Sequence, residues 1–147
     1  MKRFVHILFA WLAAVLATYA LACVAATQSV AARLGDMGIP VKFGERLQMS
    51  GQDLLGMAGL FLPLVAVGLL LAFLVAGWLG KRQASRRTGL FMLAGAVAML
   101  SIHFALRWSF DLDLVAVART PLGLLSQALA GAAGGYFYTR FRKLPAG

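Results

Sequence analysis

The sequence predicts an all-α integral membrane protein, a bundle of four transmembrane helices forming one domain over residues 1–147. Three observations lead there. The chain is 61% hydrophobic and 13% charged, with a mean hydropathy of +0.83, whereas soluble domains carry about 25% charged residues. Residues 4–26, 54–79, 89–106 and 121–138 contain no Asp, Glu, Lys or Arg, and each run can cross a hydrocarbon core about 30 Å thick as a helix. No dyad alternation runs through them, so a closed barrel, the other backbone that satisfies itself in lipid, is not indicated.

Charge is the third observation. Lys2 and Arg3 precede the first segment, Lys81, Arg82, Arg86 and Arg87 lie in the inner loop 80–88, and Arg140, Arg142 and Lys143 lie in the tail 139–147. Nine of the 14 basic residues therefore share one side, with no acid among them. The outer loops 27–53 and 107–120 balance Arg33, Lys42, Arg46, Arg107 and Arg119 against all five acids, Asp36, Glu45, Asp53, Asp111 and Asp113. By the positive-inside rule both termini are cytoplasmic, in the pattern of a bacterial-type inner membrane protein. The net charge of +9 is a topology signal that also attracts anionic lipid headgroups. Short clusters beside membrane ends do not point to nucleic acid.

The first segment also has the parts of a signal peptide, since "MKR" precedes an apolar core and "CVAAT" offers a cleavage site; "ALAC" adds a faint lipoprotein box at Cys23. A retained helix is the expectation, because removing it would leave three segments with the chain ends on opposite sides. For the second segment, Ser50 is the expected N-cap with Asp53 as a capping-box partner, and Pro63 is expected to bend the helix near Gly59. The third ends at Arg107 and Trp108. The fourth starts with Thr120 as cap and Pro121 at the first helical position. Trp78, Trp108, Tyr136, Phe137 and Tyr138 are expected at the membrane interfaces.

From Ile39 to Met49 the odd positions are mostly apolar and the even ones polar, and Phe110, Leu112 and Leu114 alternate with Ser109, Asp111 and Asp113. A period of two predicts extended chain, with a turn at Gly44–Glu45. One reading is a small periplasmic β-hairpin or three-stranded cap, and the other is an amphipathic interfacial segment.

Gly123, Gln127, Gly131 and Gly135 recur every fourth residue beside Gly134, a small-residue face that lets another helix approach closely. That contact is expected within the bundle before between subunits. Gln127 lies roughly 9 Å inside Pro121 and His103 roughly 6 Å inside Arg107 along their helices. Two polar side chains at comparable depth are expected to satisfy one another. The candidate binding residues are thus His103, Gln127, Arg107 and Asp53.

His6 and His103 fall near opposite ends of their helices and cannot share one haem iron within a subunit, and a single Cys23 forms no intrachain disulfide or redox pair. No cofactor or metal is expected. Asp111 and Asp113, two apart, are candidates for acid–base work with His103, but no nucleophile triad or phosphate loop accompanies them. A four-helix membrane protein with strands in its outer loops resembles the claudin architecture. The paired loop cysteines and Trp-Gly-Leu-Trp motif of that family are absent, so the resemblance ends at helix count.

The function expected from sequence is non-enzymatic: binding of a protein partner, another copy of the chain as a homo-oligomer, or a lipid. Binding would use the outer loops and the small-residue helix. Two alternatives are a small channel or transporter built on His103 and Gln127, gated at Pro63, and a lipid-modifying enzyme.

Overall fold

Apolarity marks where lipid begins and ends, while a helix runs as far as backbone preference carries it. The two limits differ in the first segment. In the computed structural model, which describes residues 2–81, 86–110 and 120–142, helix α1 covers Lys2–Asp36 instead of stopping at residue 26. The sequence "TQSVAARLGD" that follows the apolar core is rich in helix formers and free of proline. The turn that closes α1 after Asp36 passes through Gly38, whose φ of +82° suits glycine's missing Cβ. The Gly38 N–H donates to Gly35 O at 3.0 Å and the Ile39 N–H to Leu34 O at 2.9 Å, the paired closure of a Schellman motif.

The hairpin expected from residues 39–50 does not form. Helix α2 spans Phe43–Gly56, and the expected turn at Gly44–Glu45 is its first turn. Phe43, Leu47, Ser50 and Leu54 fit helical spacing as well as alternation does, and no β-branched residue occurs between 43 and 56, so strand preference is weak. Glu45 Oε2 accepts the Lys42 N–H at 2.8 Å, covering one orphan donor at the helix start. Of the two outer-loop readings, the amphipathic segment is the one that matches, as helix. The possible third strand, at residues 111–119 with Asp111 and Asp113, lies outside the described residues.

The expected second segment is likewise divided. α2 stops at Gly56, a turn occupies residues 57–60, and helix α3 runs Phe61–Leu79. Ser50 is therefore not an N-cap but a buried residue inside α2. Pro63 is not a mid-helix bend either: it falls in the first turn of α3, where its missing N–H costs no hydrogen bond. Helix α4 covers Arg87–Phe110 and helix α5 Pro121–Arg142. Thr120 caps α5 as expected, its Oγ1 accepting the Gly123 N–H at 3.2 Å.

Among the described residues there are five helices and no strand. Phe4–Asp36, Phe61–Leu79 and Arg87–Trp108 are long and apolar enough to cross a membrane, which supports a multi-pass membrane protein. α5 falls outside this set, because its glycines, Gln127 and Ser126 lower its apolarity. It packs against both α4 and α1, α4 also packs on α3, and α1 touches α2 and α3.

The α4–α5 seam is glycine on glycine. A Cβ at Gly95 would run into the Gly131 carbonyl, one at Gly131 into the Gly95 carbonyl, and one at Gly135 into the Phe91 carbonyl. Gly134 faces the other neighbour, where a Cβ would meet Thr18 Oγ1 of α1. These glycines are thus committed to packing inside the chain, which leaves that face unavailable to a second copy. At the basic end, Tyr138 is not an interfacial ring. It is buried, 4.6 Å from the Phe73 ring and 5.0 Å from Phe91.

Candidate functional site

At the end of the bundle nearer α2, α5 places the side chain of Gln127 between two other helices. Gln127 is 0% exposed and His103 5%. The Gln127 amide donates to Ala22 O of α1 at 3.1 Å, and its Oε1 lies 3.4 Å from His103 Nε2 on α4. A carbonyl can only accept, so Ala22 fixes the amide with its NH2 toward α1. Oε1 then faces His103, and the imidazole must carry its proton on Nε2 to donate. One side chain thereby ties α1, α5 and α4 together, as the pairing of His103 with Gln127 anticipated. The His103 ring also lies 5.9 Å from Phe61, which in turn lies 6.0 Å from Tyr19.

The other predicted site residues are not drawn into this pair. Asp53, in the last turn of α2, has its Oδ2 2.6 Å from the hydroxyl of buried Thr27 on α1. Beside it the Tyr19 hydroxyl donates to Leu54 O at 2.6 Å, covering a carbonyl that the end of α2 leaves without a helical partner. These two contacts hold α2 to α1. Arg107 is exposed in the last turn of α4, while Asp111 and Asp113 fall outside the described residues. Thr27→Val keeps the shape and removes the hydroxyl. It should weaken the attachment of α2 by about 1 kcal/mol, seen as faster amide exchange in α2 with α4 and α5 unchanged; uniform exchange would contradict this division.

Two concavities stand out on the surface of the described residues. An apolar groove of about 740 Å³ runs between α3 and α4. Gly68, Ala72, Ala94 and Ala98 are among the small residues lining it, and Leu71, Val75, Leu93 and Val97 are large, exposed ones. A second cavity of about 270 Å³ lies at the basic end, lined by His6 and Ile7 of α1, Arg87, Thr88 and Phe91 of α4, and Thr139 and Arg142 of α5. The Arg142 guanidinium stands 5.8 Å from the Tyr138 ring centroid, a cation–π contact that directs it inward.

Sequence reasoning did not find Thr18, Thr27, Tyr19 or Gly95. Thr18 and Tyr19 are polar positions inside the apolar run 4–26 and Thr27 directly follows it, a visible signal; Gly95 shows itself only through its partner Gly131. No group of three or more metal-ligating side chains occurs among the described residues.

Fold and site together define a class, the multi-helix membrane protein with an internally satisfied polar clasp and an apolar groove on its flank. Comparison with protein-family models, curated proteins and solved structures gives no match to this chain.

Proposed function

We propose that the chain is a four-span, non-enzymatic inner-membrane protein of bacterial type that binds a membrane lipid, with the acyl chain lying in the α3–α4 groove. The groove is the observation that carries this: about 740 Å³ bounded by Leu, Val, Ile, Ala and Gly, with Ser101 the one polar side chain among the described residues that line it, within the about 300–1,000 Å³ range of ligand sites. Its floor is made by small residues and its rims by exposed large ones, a shape that suits a narrow flexible chain. Leu79 and Leu90 close it beside Lys81, Arg86 and Arg87, which complement an anionic headgroup.

Topology supports the same reading. α5 has 22 residues, roughly 33 Å of helix, with no charge before Arg140. His6, Arg87 and Arg142 meet at one cavity, so the basic ends of α1, α4 and α5 lie together, as two cytoplasmic termini require. α2, with Phe43, Leu47 and Leu55 exposed, then lies on the opposite face as an interfacial helix. A pathway through His103 and Gln127 has no comparable support, because the two side chains serve each other and α1.

Native mass spectrometry from mild detergent tests the proposal. The wild-type chain should retain phospholipid, and Ala72→Phe with Ala94→Phe, which fills the floor of the groove, should lose most of it. Bare protein in both preparations, or equal retention, overturns lipid binding at this groove.

A further inference from the structure

The α3–α4 groove is longer than the chain of an ordinary phospholipid. Its two helices run antiparallel, with the Arg87 side chain beside Gly80, the Phe91 ring beside Gly77 and Ile102 against Gly68. The described walls extend from Leu79 to Leu64 on α3 and from Leu90 to Leu106 on α4, roughly 22 Å and roughly 24 Å at the helical rise. Leu79 stands two residues before Lys81, and Leu106 one before Arg107, so the groove reaches from one charged boundary nearly to the other. An acyl chain starts at one surface and stops at the midplane, about 15 Å into a core about 30 Å thick. A chain anchored at the basic end therefore stops near Ala72 and Val97, and the walls continue beyond it.

We infer that the groove holds two lipids tail to tail, one from each leaflet, and that its outer half is a second acyl-chain subsite. This rests on the reading of the groove as a lipid site. Small residues carry the recess past the midplane, Gly68 on α3 with Ala98, Ser101 and Ala105 on α4, so the notch does not close where the first chain ends. Lipid supplies no hydrophobic drive, and contact decides what lies there. A bare recess forfeits dispersion contacts that a narrow chain restores. The volume argues against a helix as occupant: about 740 Å³ spread along that length gives a cross-section of roughly 30 Å², against roughly three times as much for a helix about 10–12 Å across. At the outer mouth the exposed Arg107 and Trp108 place a cation and an interfacial ring at headgroup level.

Counting bound lipids tests the second subsite apart from the first. The full chain is reconstituted in vesicles of phosphatidylethanolamine and phosphatidylglycerol, transferred to mild detergent and weighed by native mass spectrometry. The wild type should retain two phospholipids. Ala94→Phe, in the inner half, and Ala105→Phe, at an exposed position in the outer half, should each retain one, and the two substitutions together none. Ala72 lies where the tails meet, so filling it disturbs both. If Ala94→Phe fails to fold, Leu79→Trp at the exposed inner mouth reads the same half. One lipid, lost to Ala94→Phe and kept in Ala105→Phe, leaves the groove reading standing and overturns the second subsite. One lipid lost to either substitution means that a single long chain fills the groove, and overturns the pair. Two lipids kept in both variants place them elsewhere and overturn it as well. Bare protein throughout overturns the groove reading together with this one.

Discussion

Gly131→Leu is expected to leave little folded protein in the membrane, and Gly131→Ala to be the most damaging single-methyl change in the chain. The obstacle to a Cβ at Gly131 is the carbonyl of Gly95 on the facing helix, with Met99 close behind. A side chain in the way could rotate aside, but a backbone carbonyl moves only with its helix. Overpacking a core costs typically about 1–3 kcal/mol, and here the separation would spread along the seam to Gly135 and Phe91. Lipid offers no hydrophobic drive to hold the parted helices, whose association depends on the contact being lost. Unfolding in mixed micelles measures the effect. Gly51→Ala supplies the opposite sign: nothing lies within 4 Å of a Cβ there, so α2 should gain about 0.5–1 kcal/mol of helix preference. Gly131→Ala as stable as wild type would show that the seam is looser than the backbone contact implies.

Gln127→Leu should be the next most costly. Leucine nearly matches the volume, so the loss is polar: the imidazole N–H of His103 is left without this acceptor, and Ala22 O loses a donor from α5. Leaving a buried polar group unsatisfied costs about 1–3 kcal/mol, more than the average of about 0.6 kcal/mol for a single membrane hydrogen bond. His103→Phe should be milder, because it keeps a ring against Phe61 and leaves a weaker orphan. Combining the two should recover part of the Gln127→Leu loss, since no imidazole then seeks a partner. If the two losses simply add in the double variant, the residues are not coupled and the clasp does not exist.

Much of this architecture was legible in the residues. The uncharged runs 4–26, 54–79 and 89–106 each overlap one of the three helices long and apolar enough to cross a membrane, although the second run starts within α2; the Thr120–Pro121 cap marks the start of α5, and depth arithmetic pairs His103 with Gln127. What stayed hidden has physical causes. Hydropathy ends at residue 26 while α1 continues to Asp36, because lipid solubility and helix preference are separate properties. A period of two and a period of 3.6 share positions over a dozen residues, and only the lack of β-branched side chains around Arg46 to Leu55 separates α2 from a hairpin. The cavity at Arg87 and Arg142 joins residues 55 apart in sequence with His6 still further away, and a topology rule that counts charges by side does not see them converge.

α5 brings a consequence for biosynthesis. It leaves the ribosome after the other four described helices, and it is less apolar than α1, α3 and α4, yet it supplies one side of both glycine-dependent seams. On the four-span reading it enters the bilayer less by partitioning than by docking into a slot already formed by its predecessors. Until then, the Gly95 stripe and Thr18 face lipid and the polar edge of His103 waits without Gln127. A truncation just before residue 121 should therefore be recognised as incomplete, because it leaves the Gly95 side of the seam and the α1 and α4 partners of Gln127 uncovered.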